Sequence, residues 1–66
     1  MKSRLKVARA EKDLTQEELA QRIGVSRQSI NAIESGRYVP STVLALKMAQ
    51  VFGKTVEELF FLEESD

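Results

Sequence analysis

Hydrophobic residues recur at intervals of three and four along most of the chain, which is the spacing of one face of an α-helix. In the clearest case Ala45, Met48, Ala49 and Phe52 follow the i, i+3, i+4, i+7 pattern. No convincing strand-like alternation interrupts these stripes, although Phe60 to Leu62 suits a short extended tail. The pattern predicts an all-α bundle with five helices, near residues 2–12, 16–23, 27–35, 42–52 and 56–60.

Capping signals support these boundaries. Thr15 and Thr55 each precede a glutamate at the third following position, which is the spacing of a capping box. Ser26 and Ser41 stand where the N-caps of the third and fourth helices are expected. Glycines at 24, 36 and 53 follow the second, third and fourth helices, a common way for a helix to end. A chain of 66 residues has room for one domain, so we assign residues 1–66 to a single unit.

Composition excludes several classes of function. The chain has no Cys and no His, which argues against disulfides, zinc fingers, thiol catalysis and a histidine general base. The longest apolar runs are four residues, whereas a membrane-spanning helix needs about 20. The N-terminus also lacks the apolar segment of a secretory signal. We therefore expect a cytoplasmic protein that is not an enzyme and has no metal, cofactor, membrane partner or evident small-molecule ligand.

The second and third helices, within residues 16–35, carry the candidate chemistry. Gly24-Val25-Ser26 joins them by a connection short enough for the steep crossing of a helix-turn-helix. An ordinary αα-hairpin would have the same outline, so the exposed side chains of the third helix decide between the two. Arg27, Gln28 and Asn31 are expected to project outward from its first turns. Arg pairs with guanine, and Gln or Asn with adenine, so these three are the predicted base-reading residues in a major groove of double-stranded DNA.

Groups suited to binding the DNA backbone surround this face. Gln16 begins the second helix, where its amide and the free N–H groups of the helix end suit a phosphate. Ser26 and Ser29 lie near the start of the third helix, beside the base-reading residues. Arg37 and Tyr38 follow the third helix and are placed to hold a neighbouring phosphate. These five are the predicted backbone contacts.

The chain resembles the phage-repressor and Cro class of helix-turn-helix proteins, also called the Xre-like family. The matching residues are Leu14 to Ala20, Ile23 to Ser26, Ile30 to Glu34, Gly36, Pro40-Ser41 and Val56 to Phe60, within a similarity that spans residues 4–61. The resemblance implies the compact five-helix fold of lambda-repressor-like domains and contact of the third helix and Gln16 with operator DNA. It also implies Arg27 and Gln28 as the leading base readers, and a structural ion pair between Arg9 and Glu34.

The C-terminal part of the chain is more apolar than a small core requires. Leu46, Phe61 and Leu62 exceed what so small a domain can cover, and exposed apolar clusters mark interfaces. We predict a homodimer formed through residues 42–62, with two recognition helices roughly 34 Å apart on a palindromic operator. The leading hypothesis is a sequence-specific DNA-binding transcriptional regulator that acts as a repressor. The alternative is an antitoxin-like or adaptor module that acts mainly through protein–protein contacts.

Charge first argues against DNA binding, because ten basic and ten acidic residues give a net charge of zero. The charges are unevenly distributed, however. Residues 1–40 carry eight basic and five acidic residues, whereas residues 41–66 carry two and five. The basic excess thus lies in the half that holds the helix-turn-helix. We expect modest non-specific affinity for DNA, with specificity resting on a few base contacts.

Overall fold

Five helices and a two-stranded ribbon make up the chain in the computed structural model, which describes all 66 residues. The helices are α1 (Leu5–Lys12), α2 (Gln16–Ile23), α3 (Arg27–Glu34), α4 (Thr42–Phe52) and α5 (Val56–Leu59). The strands β1 (Lys2–Ser3) and β2 (Phe60–Phe61) lie near the two ends of the chain. The predicted five-helix architecture is confirmed. None of the helices combines the length and the apolar character needed to cross a membrane.

The start of α1 differs from the prediction. β1 pairs with β2 in an antiparallel register that sets Lys2 opposite Phe61, and the Arg4 N–H donates to the Leu59 carbonyl at 2.7 Å. The predicted helix near residues 2–12 is therefore wrong over its first residues. A local pattern could not show this, because the strand partner lies at the other end of the chain. α3 and α5 each end one residue before the predicted boundary.

One hydrophobic core joins all five helices. Its largest fully buried side chains come one from each helix, in the order Leu5, Leu19, Ile30, Met48 and Leu59. The rest of the core is also apolar, and no polar or charged residue is buried with it. Each helix therefore depends on all the others for the burial of its apolar face. The orientation of α2 and α3 is consequently set by the whole domain.

Side-chain caps fix the helix starts. Thr15 Oγ1 accepts the backbone N–H of Glu18 at 3.0 Å, and the Glu18 carboxylate accepts the N–H of Thr15 at 2.9 Å. The same reciprocal pair forms between Thr55 and Glu58, at 3.2 and 2.9 Å. Both predicted capping boxes are therefore present. Each satisfies helix N–H groups that have no partner within the helix.

The capping boxes are expected to make stability depend on pH in acid. The backbone hydrogen bond from Thr15 lowers the pKa of Glu18, and that from Thr55 lowers the pKa of Glu58. Such a carboxylate contributes stability that is present above its ordinary pKa of 4.5 and is lost as the pH falls through the lowered, folded-state pKa. The double variant E18Q/E58Q keeps an acceptor in each box but cannot titrate. Its urea midpoint should therefore fall less than the parent's between about pH 6 and about pH 3.

The neighbouring glutamates provide the matched control for this measurement. Glu17 and Glu57 lie one residue earlier in the same helices, are exposed, and take no part in the capping boxes. The variant E17Q/E57Q should keep the parent's loss of stability in acid. If the urea midpoint falls equally with pH in E18Q/E58Q and in the parent, the capping boxes do not contribute to the loss of stability in acid.

Candidate nucleic-acid interface

α2 and α3 pack against each other across a tight turn. Gly24 has a φ of 75°, a backbone conformation that other residues rarely adopt, and the Val25 N–H donates to the Ala20 carbonyl at 3.0 Å. Ala20 is buried on the face of α2 that meets the core, and its small side chain suits a close approach of the next helix. The two helices and their turn form a helix-turn-helix in which α3 is the second helix.

α3 has one buried face and one exposed face. Ile30 and Ile33 are buried in the core, whereas Arg27, Gln28 and Asn31 are all exposed. These three lie within the first five residues of the helix, which is the part that a recognition helix directs at base edges. The structure thus brings the three predicted base-reading residues together on the accessible side of α3.

Ser26 and Ser29 stabilise the start of α3. The Ser26 hydroxyl accepts the backbone N–H of Ser29 at 3.1 Å, and the two hydroxyl oxygens are hydrogen-bonded at 3.0 Å. This N-cap fixes the helix end beside the exposed Arg27. The partial positive charge of a helix N-terminus then lies next to the predicted base readers, where it suits a DNA phosphate.

An ion pair joins α1 to the end of α3. Arg9 donates to both carboxylate oxygens of Glu34, with Nη2 to Oε1 at 3.0 Å. Its third nitrogen, Nη1, donates to the Leu14 carbonyl at 2.9 Å. The side chains of Arg9 and Glu34 are only 14% and 8% exposed. The hydrogen bonds that Arg9 donates to the Glu34 carboxylate raise the pKa of Arg9, and this two-point contact is the stronger kind of ion pair.

Gln16 is hydrogen-bonded to the same carboxylate. Its Nε2 donates to Glu34 Oε1 at 3.1 Å and to Asn31 Oδ1 at 3.3 Å. The Gln16 amide, which the sequence predicts to contact a phosphate, is therefore already hydrogen-bonded to two side chains of α3. Sequence reasoning missed this contact between α2 and α3. A signal was available, because Asn31 and Glu34 are three residues apart and so share one face of α3.

Arg37 and Tyr38 lie beyond the other end of α3. Their backbone N–H groups both donate to the Ala32 carbonyl, at 2.9 and 3.2 Å, and the Arg37 side chain donates to Ser35 Oγ at 2.9 Å. Both residues are exposed. Both follow the last residue of α3, Glu34, whereas the predicted base readers lie within the first five residues of that helix.

The three residues predicted for a dimer interface are exposed but do not share one surface. Leu46 lines a shallow groove with Pro40 and Phe60. Phe61 lies on the face of β2 opposite to Phe60, where the Arg4 guanidinium is 4.9 Å from the centre of the Phe61 ring. Leu46 and Phe61 therefore lie on different surfaces, and Leu62 is exposed just after β2.

Leu46 belongs to a small apolar surface on α4 and the loop before it. Val39, Val43 and Leu46 are 61%, 62% and 53% exposed. Val39 lines the same groove as Leu46, and Val43 lies one helical turn before it on α4. We call these three residues the apolar patch. It is contributed by α4 and the loop before it, and is distinct from the exposed face of α3.

Comparison with known proteins agrees with this geometry. The model of the helix-turn-helix family matches residues 5–59, which include α2, the turn and α3 as well as Arg9 and Glu34. The chain belongs to this family. The Xre-like resemblance inferred from the sequence is therefore confirmed, and the family is one of DNA-binding transcription regulators.

Relatives of this helix-turn-helix protein occur in archaea and bacteria. It is 52% identical to an uncharacterized HTH-type transcriptional regulator of Methanocaldococcus jannaschii over 66 residues, which is the full length of both chains. It is 46% identical over the same span to the uncharacterized HTH-type transcriptional regulator YgzD of Bacillus subtilis, again over both full lengths. It is 37% identical to the cryptic phage CTXphi transcriptional repressor RstR of Vibrio cholerae, over 86% of this chain and 51% of that protein.

Proposed function

We propose that this helix-turn-helix protein is a sequence-specific transcriptional repressor that binds a palindromic operator in the cytoplasm as a homodimer. The observation that carries the proposal is the exposed face of α3. Arg27, Gln28 and Asn31 project together from the first five residues of a helix whose other face is fixed in the core. Arg, Gln and Asn are the side chains that form specific hydrogen bonds with purine edges in the major groove.

The remaining contacts position the protein on the DNA backbone. The capped start of α3 at Ser26 and Ser29 and the N-terminus of α2 at Gln16 both offer backbone N–H groups to phosphates. Arg37 and Tyr38 contact the backbone beyond the far end of α3. These contacts carry no sequence information themselves, but they hold α3 in one register along the groove.

The apolar patch is the proposed centre of the homodimer interface. Three aliphatic side chains that are more than half exposed lie close together on α4 and its preceding loop. Residues 41–66 also carry a net charge opposite to that of residues 1–40, so a contact through this half leaves the basic half for DNA. A two-fold axis there pairs the same patch on both copies and repeats the recognition helix at a palindrome.

Selection of bound duplexes from a random DNA pool tests the proposed function. We expect enrichment of two inverted half-sites whose centres are about 10 base pairs apart, or a multiple of one helical turn. Enrichment of a single half-site would remove the homodimer from the proposal. Absence of any enriched sequence would contradict DNA recognition and favour the antitoxin-like or adaptor alternative, in which the apolar patch binds another protein.

Leu46→Glu is expected to weaken the homodimer by roughly tenfold or more, because it buries a carboxylate in an apolar interface. Sedimentation equilibrium of the parent and the variant measures this change directly. Val7→Glu is the matched control, since Val7 is 61% exposed on α1, outside the apolar patch. A parent protein that stays monomeric at high micromolar concentration would disprove the interface, as would an equal effect of both substitutions.

A further inference from the structure

The hydrogen bonds around Glu34 fix which way two neighbouring amides point. A carboxylate accepts hydrogen bonds and does not donate them, so the atom of Gln16 that faces Glu34 Oε1 at 3.1 Å is the nitrogen. Arg9 donates to both oxygens of the same carboxylate. The amide of Gln16 therefore cannot be turned around without losing a charge-assisted hydrogen bond.

The fixed orientation of the Gln16 amide also determines the orientation of the Asn31 amide. The Gln16 nitrogen has a second hydrogen but no acceptor capacity, so the Asn31 atom 3.3 Å away is its carbonyl oxygen, Oδ1. The Asn31 nitrogen, with both hydrogens, is then the end of the amide that this contact leaves free. Asn31 is exposed on the same side of α3 as Arg27 and Gln28. Gln16 and Glu34 thus determine which end of the Asn31 amide, the nitrogen or the oxygen, is free at the protein surface.

We propose that Asn31 acts in the major groove as a hydrogen-bond donor and selects guanine over adenine, and that Gln16 determines this choice without touching the base. The proposal rests on the proposed function. An unconstrained Asn pairs with adenine by using its oxygen and its nitrogen together, on N6 and N7. Guanine instead offers two adjacent acceptors, N7 and O6, which match an amide whose nitrogen alone is directed at the base.

The orientation of the amides can be tested on the protein without DNA. Side-chain amide resonances of 15N-labelled protein should show both Gln16 hydrogens shifted from their free-amide positions, and N31D should retain this shift because a carboxylate is still an acceptor. N31A should return one of the two hydrogens to its free position. Free-amide positions for both Gln16 hydrogens in the parent would overturn the proposal whatever the protein does with DNA.

The base preference is tested by selection from a random pool with three variants. N31A identifies the half-site position that Asn31 contacts, since preference is lost there alone. The parent should favour guanine over adenine at that position by about fivefold or more, and Q16M, which has the same side-chain length and no hydrogen-bond donor, should abolish or reverse this preference. Q50M, the same change at an exposed position on α4, should leave it intact.

The outcomes separate this proposal from the proposed function. A parent that favours adenine at the Asn31 position, or a Q16M variant that weakens binding equally for all sequences, would overturn the role of Gln16 while leaving DNA recognition intact. A parent that enriches no sequence would overturn both. Circular dichroism of Q16M confirms that the variant is folded. If it is not, N31D tests the donor role of Asn31, because it keeps the bond from Gln16 and should lose the preference for guanine, and the amide resonances of the parent test the contact with Gln16.

Discussion

Arg9→Met is expected to lower the free energy of unfolding by roughly 3 kcal/mol, because it leaves the Glu34 carboxylate without its cation in a site that is largely removed from water. The Glu34 side chain is 8% exposed, so water replaces little of the lost contact. The Leu14 carbonyl also loses its donor. A domain of this size without disulfides holds only about 3–5 kcal/mol of stability, so the variant should be left with roughly 0–2 kcal/mol and be only marginally stable. Urea unfolding followed by circular dichroism at 222 nm measures the change.

Two further variants show whether the ion pair itself is responsible. Lys54→Met breaks the exposed contact between Lys54 and Glu11, whose charged atoms are 3.7 Å apart, and should change stability by less than about 0.5 kcal/mol. The double variant R9M/E34M removes both charges and should be more stable than R9M alone, because no carboxylate that is largely removed from water is left without a cation. A cost below about 1 kcal/mol for R9M would contradict a structural role for this pair.

The double variant R27A/Q28A is expected to lose at least about 30-fold in affinity for its selected operator while remaining folded. Each side chain can form a bidentate contact with a purine, and each such contact is worth about 1–3 kcal/mol of discrimination between bases. Both residues are exposed, so the core does not change. Affinity for unrelated DNA should fall much less, since the phosphate contacts remain. Fluorescence anisotropy with operator and scrambled duplexes at fixed salt concentration measures both affinities.

The control for this measurement uses the same residue types on the other helix. Gln21 and Arg22 are exposed on α2, and Q21A/R22A removes the same number of charges and amides. We expect its effect on operator and scrambled DNA to be similar and to shrink as salt is raised. If R27A/Q28A and the parent prefer the operator equally, Arg27 and Gln28 are not the base readers.

Local chemistry made much of the fold predictable. The N-cap residues Thr15, Ser26, Ser41 and Thr55 each act within one turn of the chain, so their sequence spacing is sufficient to place the start of a helix. The β1–β2 ribbon depends instead on pairing between the two ends of the chain. Nothing in the sequence near Lys2 distinguishes that strand from the start of a basic helix.

The candidate site also contains features that the sequence predicted and contacts that it did not. Exposure of Arg27, Gln28 and Asn31 followed from the helical period of α3, because that period also buries Ile30 and Ile33. The helical period also shows that Asn31 and Glu34 share a face of α3, but the contact of Gln16 with them depends in addition on how closely α2 approaches α3. Leu46 and Phe61 were predicted to share a surface, but the alternation of β2 directs Phe60, not Phe61, toward the groove beside Leu46.

The hydrogen-bond pattern on α3 has a consequence for redesign of the protein. Position 31 is connected through Gln16 to the ion pair that holds α3 in place, whereas Arg27 and Gln28 form no side-chain hydrogen bond with the rest of the protein. A library that varies positions 27 and 28 can therefore be screened for new targets with little loss of folded protein. Position 31 is different, because a new side chain there also changes what Gln16 contacts. Productive libraries will vary residues 16 and 31 as a pair.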